Sequence, residues 1–326
     1  MEKFEGRYVI TASPHIRSRD TSRSIMLNVI IALVPALVAS VIIFGLRALL
    51  VEAVTVASCV LCEVVWCAIR KEKHTAGDLT AVITGLLLSF NMPASIPLYV
   101  PVIGAIVAII VVKEMFGGLG RNFANPAIVA RIFLAVAFPV AMTTFAAPLI
   151  SLSPVDVVSS ATPLAPAAQP LSYAELLLGA HMGVLGETSA IALLLGMVFL
   201  LVRPVITWHT PVAYVGTVCV LSLLVGKDPV AQVLSGGLLL GAIYMATDYT
   251  TSPATKRGKL VFGIGCGLIT CLIRFWGNLN EGVAYSILFM NLLVPYIDQL
   301  TPNIPVGGEQ IMAERRRMKR GGKADE

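Results

Sequence analysis

Long apolar runs recur along almost the whole of this chain, and no other feature limits its fold as tightly. A helix needs about 20 consecutive apolar residues to cross the roughly 30 Å hydrocarbon core of a bilayer. Each backbone N–H and C=O must also find its partner inside such a segment, so a spanning run folds as a helix. Runs of this kind lie near 24–45, 48–69, 79–92, 95–112, 126–142, 187–202, 210–226, 230–247, 259–275 and 281–300. They predict an all-α, polytopic membrane helix bundle with about ten transmembrane helices. The third run is short and ends in Asn91-Met92-Pro93, so it reads as a broken or re-entrant element. Composition agrees: only 13% of residues are charged, against about 25% in soluble domains. That leaves too little polar surface to cover a globule. Residues 1–23 are polar and charged, and the run after them has no small-residue cleavage site, so it is expected to stay as the first span.

Charge fixes the orientation. Positive residues gather on the cytoplasmic side of membrane proteins. With the N-terminus inside, cytoplasmic segments hold twenty of the twenty-four Lys and Arg, among them Arg17, Arg70, Lys71, Lys256 and Arg257. The outer side holds Arg47, Lys227 and Arg274, and Arg131 lies within a span. Both termini are therefore expected in the cytoplasm of a multi-pass cell-membrane protein. The tail Arg315-Arg316-Arg317-Met318-Lys319-Arg320 reads as a topology and lipid-headgroup signal, with no nucleic acid implied.

The organisation follows: a cytoplasmic segment 1–23, a first membrane repeat 24–142, an extracytoplasmic loop 143–188, a second repeat 189–300 and a basic tail 301–326. Asp78-Leu79-Thr80-Ala81 before Thr84-Gly85-Leu86 is echoed by Asp228-Pro229-Val230-Ala231 before Ser235-Gly236-Gly237-Leu238. Phe116-Gly117-Gly118 is echoed by Phe275-Trp276-Gly277. Five spans per half would make this an internal inverted repeat, an architecture that puts ligand sites at broken helices.

Cys59-x-x-Cys62 has redox or metal spacing, but it lacks a second pair and sits mid-helix, where cysteine packs as a small hydrophobe. No metal site is expected. His15, His74, His181 and His209 fall between spans, so none is placed to ligate haem. Ionisable groups inside spans are functional candidates, because a charge there costs roughly 2.5 kcal/mol or more. Glu63 and Arg131 are read as the deepest, and Asp248 as lying at the inner end of the eighth span. These three are ion-pathway candidates. The plainer alternatives are that Glu63 and Arg131 pair with each other, and that Asp248 pairs with Lys256 and Arg257.

The loop 143–188 contains no Lys or Arg. Within it, Asp156-Val157-Val158-Ser159-Ser160-Ala161-Thr162-Pro163 reads locally as a turn or a helix cap. Gly117-Gly118-Leu119-Gly120-Arg121-Asn122-Phe123-Ala124-Asn125-Pro126-Ala127 follows an apolar helix with no βαβ unit, so a Rossmann reading fails. Its glycines read as close helix packing. The amides of Asn122 and Asn125 need partners at the membrane face.

Three stretches together resemble one family, the D subunits of Rnf complexes and their relatives, the B subunits of sodium-pumping NADH:quinone oxidoreductases. Asp156 to Thr162 resembles the flavinylation signal Asp-x-x-Ser/Thr-Gly-Ala-Thr/Ser, with Ser160 where glycine is usual. The glycine–asparagine segment is similar to GGLGxNxxNPA. Met245-Ala246-Thr247-Asp248-Tyr249-Thr250-Thr251-Ser252-Pro253 resembles MATDPVSAP, with Tyr249 in place of proline. The Rnf branch fits better, since the N-terminal extension before the first span is short.

The resemblance implies FMN joined through its phosphate to Thr162 by a flavin transferase, with Asp156, Ser159, Ser160 and Ala161 completing the signal. It implies Asn122 and Asn125 as candidates for a second, non-covalent flavin such as riboflavin. It further implies membership of an ion-translocating ferredoxin:NAD⁺ oxidoreductase, with other membrane subunits and an extracytoplasmic FMN-carrying subunit as partners. This chain would relay electrons, with no complete active site of its own. Two rivals belong to other classes: a channel or secondary transporter for a small solute, and a purely structural anchor. Neither predicts a bound chromophore.

Overall fold

The computed structural model describes residues 21–71, 76–149, 164, 171–187, 189–277 and 281–302. All of its regular elements are helical. Helix α1 (Ser22–Phe44) starts at Thr21, whose hydroxyl accepts from the Ser24 N–H, and ends at Gly45, where φ is +75°. A left-handed residue is cheap only as glycine, and here it lets the chain reverse at once into α2 (Leu46–Arg70). Among the described residues, four helices have the length and apolarity to cross a membrane: α1, α2, α12 (Lys256–Trp276) and α13 (Val283–Leu300). Large apolar side chains such as Leu27, Ile42, Leu61 and Ile69 stand exposed along α1 and α2. On a soluble protein that face would need a cover; on a membrane protein it meets lipid.

The remaining apolar runs form shorter or broken helices. These are α3 (Thr80–Phe90), α5 (Pro126–Ala137), the short α6 (Pro139–Thr143), α8 (Ala190–Val202) and α9 (His209–Val225). The brevity expected of the third span is found: α3 has 11 residues. Beyond it, Phe90 and Met92 carbonyls accept from Gly186 and Leu185 N–H groups at 3.0 Å, so a non-helical stretch is satisfied inside the protein. Helix α4 (Tyr99–Ile106) continues as a π-helical segment, Val107–Glu114.

The eighth apolar run does not form one helix. It divides at Ser235-Gly236-Gly237 into α10 (Pro229–Leu234), α11 (Leu238–Leu240) and a second π-helical segment, Gly241–Met245. Gly236, at φ +68°, supplies the turn. The 143–188 loop has structure too: α7 (Tyr173–Leu178) is opened by a capping box between Ser172 and Glu175. His181 to Glu187 are buried, so this part belongs to the packed bundle rather than lying outside it. His209 opens α9 instead of sitting in a loop.

The two halves pack alike. Helix α2 lies against α3 and α4, as α9 lies against α10 and α12, while α5 meets α4 and α13 meets α12. Helices α1 and α8 join the halves. At their crossing Gly196 has no side chain, which leaves room for Tyr244, whose hydroxyl donates to the Ala32 carbonyl at 3.1 Å.

Candidate functional site

Both π-helical segments end at one interior cavity of about 90 Å³. A π turn inserts a residue and shifts the following side chains around the helix axis, and such turns gather at functional sites. The first turns Lys113 inward, where it is 2% exposed. The ammonium group lies 2.9 Å from Glu63 Oε1 and 3.6 Å from Glu114 Oε1, and donates to Thr80 Oγ1 at 2.8 Å. Glu63 and Thr80 thus accept two of the ammonium hydrogens, and Glu114 adds a second negative charge beside it. Glu63 is fully buried on α2. The expected alternative of a Glu63–Arg131 pair is overturned, because Arg131 instead binds Glu281. Sequence reasoning put Lys113 in a loop, since hydropathy windows stop at a charge.

The glycine-rich segment leaves this π turn directly. Gly117, Gly118 and Gly120 have φ of +106°, +81° and +87°. Their role is a left-handed turn rather than the close helix packing expected, since Gly117 and Gly120 are exposed. The turn carries Asn122 and Asn125 to the cavity wall. Asn125 caps α5, accepting from the Ala127 N–H at 3.0 Å and donating to the Met245 carbonyl at 3.4 Å, so its amide is occupied. Asn122 Oδ1 is buried without a partner.

Asp248 reaches the same cavity from the second half. Its carboxylate accepts from Thr251 Oγ1 at 3.0 Å, and backbone N–H groups of Tyr249, Thr250 and Thr251 point to it. Among the described residues it pairs with neither Lys256 nor Arg257, which corrects the simpler expectation. Chain-distant candidates are therefore brought together: Asn122, Asn125, Asp248 and, through Lys113, Glu63. Arg131 stands apart.

Arg131 belongs to a second cluster at the α10–α11 break. Arg274 donates from Nη1 to the Gln232 carbonyl at 2.6 Å and from Nη2 to the Ser235 carbonyl at 3.2 Å. These two bonds satisfy carbonyls that the break removes from helical pairing. Glu281 binds Arg131, and Glu187 Oε1 accepts from the Val184 N–H at 3.4 Å. Arg131 Nε, Arg274 Nε and Glu187 Oε2 are buried with no hydrogen-bond partner. Leu164 closes the cluster: its Cδ1 lies 2.7 Å from where a Cβ on Gly236 would stand, with Arg274 Nη2 at 3.1 Å from the same point. Asp156, Ser159, Ser160, Ala161 and Thr162 lie outside the described residues, as do the segment 1–20 and the tail from 303 onward.

Sequence reasoning also missed Glu52. It is 2% exposed on α2, and its Oε1 stands 2.6 Å from Ser40 Oγ of α1. A signal was present: Glu52, Thr55, Cys59 and Glu63 recur at spacings of 3, 4 and 4, one face of a helix. All four are buried.

Known proteins share this chain's sequence over nearly its full length. It is 44% identical over 313 residues to the D subunit of the Na⁺-translocating ferredoxin:NAD⁺ oxidoreductase complex of Acetobacterium woodii, covering 94% of this chain and 97% of that one. It is 40% identical over 320 residues to the D subunit of the proton-translocating ferredoxin:NAD⁺ oxidoreductase complex of Clostridium ljungdahlii, covering 92% and 96%. Identity to the D subunit of the ion-translocating oxidoreductase complex of Stutzerimonas stutzeri is 37%, over 86% and 91%. Residues 9–307 match the model of the NQR2, RnfD, RnfE family, and the chain belongs to that family.

Proposed function

We propose that this chain is the flavin-carrying membrane subunit of an ion-translocating ferredoxin:NAD⁺ oxidoreductase complex. FMN bound covalently to Thr162 relays electrons, coupled to Na⁺ or H⁺ movement. The observation that carries the reading is the Asp156–Thr162 signal inside a chain that aligns over 94% of its length with a protein of such a complex. The cluster beside Leu164 adds support. Two buried guanidinium groups there, on Arg131 and Arg274, each keep an Nε–H without an acceptor. A phosphodiester on Thr162, two residues before Leu164, offers acceptor oxygens that suit arginine donors. Flavin supplies a centre that exchanges one or two electrons, its potential set by nearby charge and hydrogen bonds.

Thr162 contributes the oxygen that holds the phosphate. Asp156, Ser159, Ser160 and Ala161 form the signal read by a flavin transferase. In this reading the loop faces outward, toward an extracytoplasmic FMN-carrying subunit, and both termini face the cytoplasm. The two repeats are inverted copies, and other members of the complex supply ferredoxin and NAD⁺ chemistry. Asp248, Glu63 and Arg131 remain our candidates for ion coupling. Asp248 sits on the cavity, its carboxylate held by the Thr251 hydroxyl and by backbone N–H groups.

Asn122 and Asn125 remain our candidates for a second, non-covalent flavin such as riboflavin: both line the cavity, and Asn122 Oδ1 is buried there without a partner. The experiment that tests the covalent flavin is ultraviolet fluorescence of the denatured subunit on a gel. A fluorescent band at this subunit's mass supports the reading. A dark band from an active complex favours the transporter or anchor alternatives.

A further inference from the structure

Glu52 is a buried carboxyl that no cation approaches among the described residues. Around it in the fold, Glu63 and Glu114 meet Lys113, Glu281 meets Arg131, and Glu187 lies in the field of Arg131 and Arg274, while Asp248 is held by the Thr251 hydroxyl and backbone N–H groups. The elements packed on α2 are α1, α3, α4, the first π-helical segment and the short turn at Ala76–Asp78. Helix α1 carries only Arg23, at its far end, and α3 carries no titratable group. Helix α4 carries Tyr99, which is 58% exposed. Lys113 and Glu114 are engaged with each other at the Glu63 end of α2. Glu63 itself is 11 residues from Glu52, about 16 Å along the helix. Asp78 lies beyond that same end. On α2, Arg47 is one turn away, but its guanidinium donates to the Ala94 and Ile96 carbonyls.

Hydrogen-bond arithmetic then decides the state of the carboxyl. Ser40 Oγ stands 2.7 Å from the Leu37 carbonyl and 2.6 Å from Glu52 Oε1. A hydroxyl has one hydrogen and cannot donate to both. Both contacts are hydrogen bonds together only if Ser40 donates to Leu37 and Glu52 donates its own proton to Ser40. Glu52 Oε2 has no partner, as suits the carbonyl oxygen of a neutral acid better than a carboxylate.

We propose that Glu52 is a proton-loading site of the membrane domain. The carboxyl is held neutral between α1 and α2, and in turnover its proton passes to water. The Ser40 hydroxyl then turns from the Leu37 carbonyl to the new carboxylate, so the negative charge keeps one donor. Reprotonation from water reverses both movements. Glu52 shares its face of α2 with Thr55, Cys59 and Glu63, which points it along the same buried polar stripe as the Lys113 cavity.

This inference rests on the reading of the chain as part of an ion-translocating redox complex, and its test separates the two. The intact complex in membranes is treated with dicyclohexylcarbodiimide, which attacks neutral carboxyls in apolar surroundings, and the α1–α2 peptides are analysed by mass spectrometry. Glu52 is expected to be labelled at neutral pH and Glu63 to be spared. Reduced-minus-oxidised infrared spectra are then recorded. A carbonyl band of a neutral carboxylic acid should change on reduction, shift in D₂O and vanish in Glu52→Gln. An unlabelled Glu52 would overturn the neutral state. A labelled Glu52 with no redox-linked band would overturn loading. Protection of Glu52 by sodium ions would overturn the proton in favour of a metal cation. The gel fluorescence of the same sample reports separately on the flavin, and the labelling of Glu52 does not depend on it.

Discussion

Replacing Lys113 by methionine should destabilise this protein more than any other single change near the cavity. Lys113 is 2% exposed, and its ammonium meets Glu63 Oε1 at 2.9 Å, Thr80 Oγ1 at 2.8 Å and Glu114 Oε1 at 3.6 Å. Methionine keeps the stem and removes the charge, leaving Glu63 fully buried beside Glu114 with the cation gone. Breaking a buried pair in this way costs about 3–5 kcal/mol. At roughly 2 °C per kcal/mol for a chain of this size, that is a fall of about 6–10 °C in the midpoint at which the protein leaves the solubilised complex on heating.

Glu63→Gln should cost less, about 1–3 kcal/mol, because Lys113 keeps Glu114 and Thr80. The double variant removes both members of the pair, and its cost should fall short of the sum by about 1–3 kcal/mol, as for residues in contact. Heating curves of the four complexes give these differences directly. Additive effects within about 0.5 kcal/mol would refute the pairing, because residues that do not interact behave so.

Three further outcomes follow from the geometry. The Tyr173 hydroxyl donates to Asp228 Oδ2 at 2.7 Å; this bond holds the Asp228 carboxyl below its usual range and raises the Tyr173 phenol above its own. The tie is whole between those limits, fades as pH falls through the lowered Asp228 value, and is lost again as pH rises through the raised Tyr173 value. Protease nicking of the 171–187 stretch should therefore rise at both extremes, and should lose its acid dependence in Tyr173→Phe. A cysteine at Ala174 should react with an impermeant thiol reagent on intact cells, whereas one at Lys256 should react only after permeabilisation; the reverse pattern would invert the topology. Gly196→Ala places a methyl against the Tyr244 hydroxyl and the Ala32 carbonyl, and should cost about 1–3 kcal/mol by forcing α1 and α8 apart, read as a lower heating midpoint.

The helices legible in the sequence are those whose apolar runs are long and uninterrupted. The runs at 24–45, 48–69, 259–275 and 281–300 correspond within a few residues to α1, α2, α12 and α13. The break at Ser235-Gly236-Gly237 was hidden because small residues barely lower hydropathy, yet they free the backbone to turn. The π-helical segments have no compositional mark at all. Their effect on the site is large, since the first carries Lys113 out of an expected loop and onto Glu63. Asn122, Asn125 and Asp248 were legible as candidates through their motifs. Their convergence on one cavity depends on contacts between halves more than 100 residues apart, such as Asn125 to Met245. Glu52 went unseen because a carboxylate six residues from a helix start resembles a flanking charge until its neighbours are known.

Peptide mapping of Thr162 tests the central claim most directly. The complex is digested, and the peptide containing Asp156 to Thr162 is weighed in wild type, Thr162→Ala and Thr162→Ser. The account predicts FMN mass on the wild-type peptide, none on the alanine variant, and a smaller loaded fraction on serine, which keeps an attacking oxygen. An unmodified wild-type peptide from an active complex, or flavin retained by the alanine variant, would contradict it.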